Sequence, residues 1–177
     1  MMAINARERT RTLTTEQAIS ANPSPELLAE AAQRVGAAYS NLYAHQRTGI
    51  AFLLSHRRSI LADDMGLGKT RQAIIALREA VPFGTRLVIC PAGVKLNWKR
   101  EILMVEPKAD IHVVANSRTF EPGHLWTIVN YDLLGKLLPK LLAEDWSGVI
   151  ADEAHYIKND SQRSDHVLKL LGVGKGK

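Results

Sequence analysis

Residues Ile60 to Thr70 read ILADDMGLGKT, and the rest of the chain is interpreted from this stretch. A short apolar run enters two aspartates, then Gly66-Leu67-Gly68-Lys69-Thr70, and Arg71 to Ala80 continues with helical character. Strand, glycine turn, Lys-Thr and helix together make a cradle for an anionic group. Glycines let backbone N–H groups converge, and the helix N-terminus adds partial positive charge. In a phosphate loop, Lys69 reaches the terminal phosphates and Thr70 ligates Mg²⁺. The strict pattern places a glycine six residues before the lysine, where this chain has Asp63. On spacing alone, a phosphate loop and an ordinary Gly-rich strand–helix turn both stand.

Composition bounds the problem. The 177 residues suggest one domain, large enough to bury around 70% of its unfolded surface. Hydrophobic residues at 46% and charged residues at 23% suit a water-soluble globular chain. Lys and Arg outnumber Asp and Glu by 23 to 18, a net charge of +5. That balance permits a nucleic-acid partner without establishing one. The one cysteine, Cys90, excludes an intramolecular disulfide and lies in an apolar run as a small core residue. No cluster with metal-ligand spacing stands out, and a reducing cytoplasm fits. The longest apolar runs, Ile50–Leu54 and Ala73–Leu77, are too short to cross a bilayer. Arg7, Arg9 and Arg11 lead into no apolar core, so this is not a secretory signal.

Taken in order, residues 1–22 read as a poorly ordered polar segment. Ser24-Pro25-Glu26 starts a helix with Leu27, Leu28, Ala31, Ala32 and Val35 on one stripe, and Gly36 is a stop. Helices are expected over Ala44–His56, Arg71–Ala80, Val94–Val105, Tyr131–Leu142 and Ser161–Leu171. Strands are expected at Ser59–Ala62, Arg86–Cys90, Ile111–Ala115, Leu125–Asn130 and Val149–Ala151. Residues 23–171 therefore form the folded lobe and 172–177 a flexible tail. The alternation implies an α/β fold, a mostly parallel sheet with helices on both faces. In such sheets the functional loops gather at the carboxyl ends of the strands. The glycine turn and Asp152-Glu153 then share one edge.

The second informative stretch is Val149–His155, VIADEAH. An aspartate leaving a buried strand can hold Mg²⁺ through water, and the adjacent glutamate can polarise an attacking water. Alternatively, both acids serve as a helix start. Their order behind GLGKT favours the chemical reading, because hydrolysis of a nucleoside triphosphate needs a metal and a water-orienting group.

DDMGLGKT followed by DEAH resembles the superfamily-two helicases, specifically the Swi/Snf-type DNA-dependent ATPases. The likeness runs from about Leu42 to Leu171 and includes LYAHQRTGIAFLL, LVICPAGVKLNWKREI, IVNYDLL and DEAHYIKN in order. In that family a leading Asp63-Asp64 is usual. The resemblance implies the first RecA-like lobe of a phosphate-loop NTPase, binding ATP and Mg²⁺. By position, Gln46 reads adenine, while Asp64, Met65, Gly66, Leu67, Gly68, Lys69 and Thr70 hold the phosphates. Thr70 and Asp152 serve the metal, Glu153 orients water, and His155 links nucleotide state to the DNA side. Lys95, Asn97, Lys99 and Arg100 suit phosphate-backbone contact with duplex DNA, independent of sequence; a solvated basic face is the other reading. Trp98, Trp126 and Trp146 read as packing residues.

The resemblance also implies features not found in these residues. A further strand belongs between the glycine-turn strand and the acidic strand, and a second RecA-like lobe belongs across the ATP site. The chain thus looks truncated. Its sheet is expected to be short in the middle, its stability marginal and its own ATP turnover poor. The alternative reading is a non-catalytic ATP- or DNA-binding module. Localisation follows the DNA partner: cytoplasmic and nucleoid-associated, or nuclear in a eukaryote.

Overall fold

Two neighbouring strands inside the sheet are mostly apolar and wholly covered. β3 (Arg86–Cys90) and β5 (Trp126–Asn130) are buried at every position, as expected of parallel strands covered on both faces. Side chains alternate between two cores. Val88, Cys90, Trp126 and Ile128 pack into one, and Leu87, Ile89 and Val129 into the other.

In the computed structural model, residues 2–6, 25–56, 58–61, 66–153 and 162–172 are described. The other elements are β1 (Met2–Ala6), α1 (Pro25–Ala38), α2 (Ala44–Ser55), β2 (Arg58–Leu61), α3 (Lys69–Ala80), α4 (Lys95–Val105), β4 (Ile111–Val113), α5 (Leu134–Ala143), β6 (Gly148–Ala151) and α6 (Gln162–Leu170). Short 3-10 turns at Ala92–Val94 and Tyr131–Leu133 lead into α4 and α5. Apart from β1, these spans match the sequence-based expectations within a few residues.

Among the described residues the sheet has six strands in the order β2-β1-β6-β3-β5-β4. β6, β3, β5 and β4 pair in parallel. Residues of α1 to α4 build the core on one face, and those of α5 and α6 the core on the other. This is the expected mostly parallel sheet with helices on both faces.

The structure corrects the expectation at the N-terminus. Met2–Ala6 is a strand, not loose chain. It pairs antiparallel with β2, Met2 opposite Leu61, and with β6, Ala3 opposite Ala151. β1 therefore fills the position where a central strand was expected to be missing. The physical reason is ladder satisfaction: without it, β2 and β6 would each leave a row of backbone groups unpaired, which is costly where buried. Residues 7–22 lie outside the described residues. The expected flexible tail is also held at its first residue, since Arg58 Nη2 donates to the Gly172 carbonyl at 2.8 Å; residues 173–177 are outside the described range.

At the amino edge of the sheet Arg86 is fully buried. It donates to Val81 O at 2.7 Å, Pro82 O at 2.9 Å and Glu106 Oε2 at 3.0 Å. Glu106 Oε2 also accepts the Trp126 indole N–H at 2.7 Å, and the guanidinium lies 4.8 Å from the Trp126 ring centre. Burial lowers the Arg86 pKa and the Glu106 charge opposes that shift. A buried charge survives only when paired and hydrogen-bonded in this way.

Candidate functional site

The glycine turn is shaped by backbone torsions that suit glycine. Gly66 has φ +85° and Gly68 φ +73°, the left-handed region disfavoured for other residues. Gly68 precedes α3, and its carbonyl accepts the Gln72 N–H at 3.1 Å. Lys69 and Thr70, the first two residues of α3, are half-buried.

Two glutamine side chains flank this turn. Gln46, in the first turn of α2, accepts the Tyr43 N–H at 3.3 Å and directs its amide toward Leu67 O at 3.5 Å. A Cβ on Gly68 would lie 2.4 Å from Gln46 Nε2, so the two are in close contact. Gln72, fully buried in α3, donates to the same Leu67 carbonyl at 3.0 Å. Gly49 gives it room, because a Cβ there would stand 2.0 Å from Gln72 Oε1. Gln46 was expected at this site from sequence and Gln72 was not. The available signal was a polar residue on the apolar face of α3, beside Ile75 and Ala76.

The acidic pair leaves the end of β6, where the Asp152 N–H still bonds to Ile89 O at 2.8 Å. Both carboxylate oxygens of Asp152 are oriented. Oδ2 accepts the Trp98 indole N–H at 2.9 Å, and Oδ1 accepts the Glu153 N–H at 2.8 Å. Tyr131 donates its hydroxyl to the Asp152 carbonyl. Trp98 is a buried packing residue, as expected, but it also positions the carboxylate. Glu153 has φ +52°, a torsion uncommon for a non-glycine residue and often associated with functional sites. The surroundings are dry. Burial, then the Asp152 charge, pushes the Cys90 thiol up to about 12, and the same two causes raise Tyr131.

Topology brings turn and acid to one edge. β2 and β6 flank β1 and run in the same direction. Leu77, late in α3, packs over Gly148 at the start of β6, where a Cβ would meet Leu77 Cδ1 at 2.3 Å. The opposite end of α3, bearing Lys69 and Thr70, therefore lies toward the end of β6 that carries Asp152. Asp64, Met65 and His155 lie outside the described residues.

The basic group divides. Lys95 turns inward: its ammonium donates to Val114 O at 2.7 Å and Asn130 Oδ1 at 3.1 Å. Lys95, expected as a nucleic-acid contact, here satisfies acceptors at the strand ends. Asn97, Lys99 and Arg100 are exposed on α4, with Arg100 donating to Asn97 Oδ1 at 2.7 Å. Among the described residues no helix is long and apolar enough to cross a membrane.

Residues 45–175 match the SNF2-related domain family. The chain belongs to that family. It is 36% identical over 142 residues to the SWI/SNF-related matrix-associated actin-dependent regulator of chromatin subfamily A-like protein 1 of Xenopus tropicalis, covering 77% of this chain and 15% of that protein. The Bos taurus protein of the same name is 38% identical over 141 residues, again covering 77% and 15%. The solved Sulfolobus solfataricus SWI2/SNF2 ATPase core in complex with dsDNA superposes with a TM-score of 0.60 at 26% identity, covering 72% of this chain and 29% of that one. The SNF2-related lobe here is thus a RecA-like α/β fold of Swi/Snf type. The match spans 15% of the length of each of these two relatives.

Proposed function

We propose that this chain is the first, ATP-binding lobe of a Swi/Snf-type DNA-dependent ATPase, which moves on duplex DNA when a second RecA-like lobe completes it. The observation that carries the reading is the seating of Gln46 against Leu67 and Gly68, on the sheet edge that also bears Asp152. An amide in that place can pair with the donor–acceptor edge of adenine while the adjoining turn receives the phosphates. The DNA partner is supported by the Sulfolobus core, which was solved with dsDNA.

In this mechanism Asp64 to Thr70 wrap the phosphates, and Lys69 counters the charge on the terminal oxygens. The Thr70 hydroxyl and the Asp152 carboxylate are the hard oxygen donors that Mg²⁺ prefers. Each Asp152 oxygen accepts one N–H in the structure, and carboxylate oxygens retain further lone pairs for a metal-bound water. Mg²⁺ supplies neutralisation of phosphate charge when bound. Glu153 orients the attacking water and takes up its proton. Asn97, Lys99 and Arg100 present donors to DNA phosphates in a sequence-independent way. A protein working on DNA acts in the nucleoid or nucleus.

The test is ATP binding and turnover, with and without duplex DNA, alone and with a second lobe supplied as a separate chain. The expected result is ATP binding by the chain, weak turnover alone, and a rise of about 10³–10⁵-fold with the second lobe, the range an added arginine supplies. Glu153→Gln abolishes turnover and keeps ATP binding; Lys69→Ala loses binding. No ATP binding, or DNA-stimulated turnover that survives Glu153→Gln, overturns the reading. ATP binding without turnover under any pairing supports a non-catalytic module instead.

A further inference from the structure

β4 is an outer strand of the sheet, and the stretch 114–125 returns from it to β5 without helix or strand. Three side chains with metal-binding atoms converge there. His112 lies in β4, Glu121 in the connection and His124 just before β5, and their ligand-capable atoms all fall within 4.8 Å of one another. Sequence reading found no metal-ligand cluster, because the spacing from His112 to Glu121 to His124 follows no common motif. The parallel return brings them together.

The arrangement is more than proximity. His124 Nδ1 lies 3.0 and 2.9 Å from the two carboxylate oxygens of Asp110. A carboxylate there holds the proton on Nδ1 and leaves the Nε2 lone pair outward. That Nε2 is 3.6 Å from Glu121 Oε2. A carboxylate behind a ligating imidazole is the usual support of a metal-bound histidine. On the other side, the Glu121 backbone N–H donates to His112 Nε2 in a long 3.3 Å bond, which that lone pair exchanges for the metal on binding. The two imidazole rings stack with centres 4.9 Å apart and 19° between planes. Phe120 packs edge-on to His112, 6.5 Å between ring centres.

We propose that His112, His124 and Glu121 bind a divalent transition metal of the Zn²⁺ class, with Asp110 orienting His124. Two imidazoles and a carboxylate suit Zn²⁺ rather than Mg²⁺. Three protein ligands leave the fourth tetrahedral position to water. In a bound site the ligand atoms stand roughly 3.5 Å apart, given metal–ligand lengths of about 2.0–2.2 Å. Glu121 Oε2 already stands 3.6 Å from His124 Nε2, and its side chain is 73% exposed and able to adjust to an ion. The ion would cross-link β4 to the connection that returns to β5. It lies on the far side of the sheet order from β2, which carries the glycine turn.

The experiment is calorimetric titration of EDTA-stripped full-length chain with Zn²⁺, in excess Mg²⁺. One equivalent is expected to bind, and the thermal unfolding midpoint to rise with it. The double variant His112→Asn/His124→Asn loses that equivalent and the shift in midpoint. Asp110→Asn weakens binding about 10-fold or more through the misoriented imidazole. Glu121→Ala, at an exposed side chain, serves if the double variant fails to fold, and it too must weaken Zn²⁺ binding. Absence of Zn²⁺ binding by the native chain, or binding that survives these substitutions, overturns the proposal.

Discussion

The sheet has two halves built on different terms. From β6 to β5, parallel strands are buried and clamped between two helical layers, with β4 half-buried at the edge, and β3 and β5 present no exposed residue. In β2 only Leu61 is fully buried, and Ile60 is 54% exposed. Among the described strands, β2 reaches the rest of the sheet only through β1, a strand of five residues. Yet the glycine turn follows β2, while Asp152 follows β6. One wall of the candidate site therefore stands on the firmest part of the fold and the other on an attached wing. Stability is not uniform across a domain, and elements that move during function come from its less protected end. On this difference the glycine-turn side can adjust while the acidic side stays fixed.

Removal of residues 2–6 is the strongest way to break the comparison. Both β1 ladders disappear together, and at about 1 kcal/mol per hydrogen bond the loss is of order 5 kcal/mol. Hydrogen exchange should then show the amides of residues 58–61 unprotected while those of β3 and β5 stay protected. Ile4→Pro, which removes one ladder donor, should give the same pattern more weakly. Retained protection of β2 would show that the wing does not depend on β1.

Next in size is Arg86→Met, placed in the firm half. It leaves the Glu106 carboxylate without its buried partner, at a cost of about 3–4 kcal/mol, read as a lower urea midpoint. In contrast to the β1 deletion, protection should fall in β3 and β5 together with the whole domain. Smaller still is Trp98→Phe, which keeps the aromatic bulk and removes the N–H to Asp152. Loss of a hydrogen bond to a charged group costs about 1.5–2 kcal/mol. The same substitution should lower ATP turnover in the two-lobe assembly, with ATP affinity nearly unchanged, if Asp152 orientation matters more than packing.

Much of this fold could be read directly from residues. RLVIC and WTIVN are apolar and β-branched, and both are strands at the positions expected. The glycine turn and Asp152-Glu153 were legible because their chemistry needs particular residue types at particular ends of strands. What could not be read depended on partners remote in sequence. Nothing in MAINA states that it will enter the sheet; that follows from the unpaired edges of β2 and β6. Lys95 looked like a surface cation because a lysine at a helix start can extend outward as easily as inward. Its acceptors, Val114 O and Asn130 Oδ1, belong to other elements. The role of Trp98 was likewise hidden, since Asp152 lies 54 residues away. His112 and His124 were scattered letters until the β4–β5 return placed them side by side.

The position of β1 also has a kinetic consequence. Ala3 pairs with Ala151, a separation of 148 residues (151 minus 3), whereas β4 and β5 pair across a connection shorter by an order of magnitude. Contacts so distant along the chain are reached late, after the entropy of closing a long loop has been met. The parallel half can assemble from neighbouring segments while β2 and its glycine turn wait for the N-terminal strand to dock. The proposed competence to bind a phosphate would then mark the end of folding rather than its beginning.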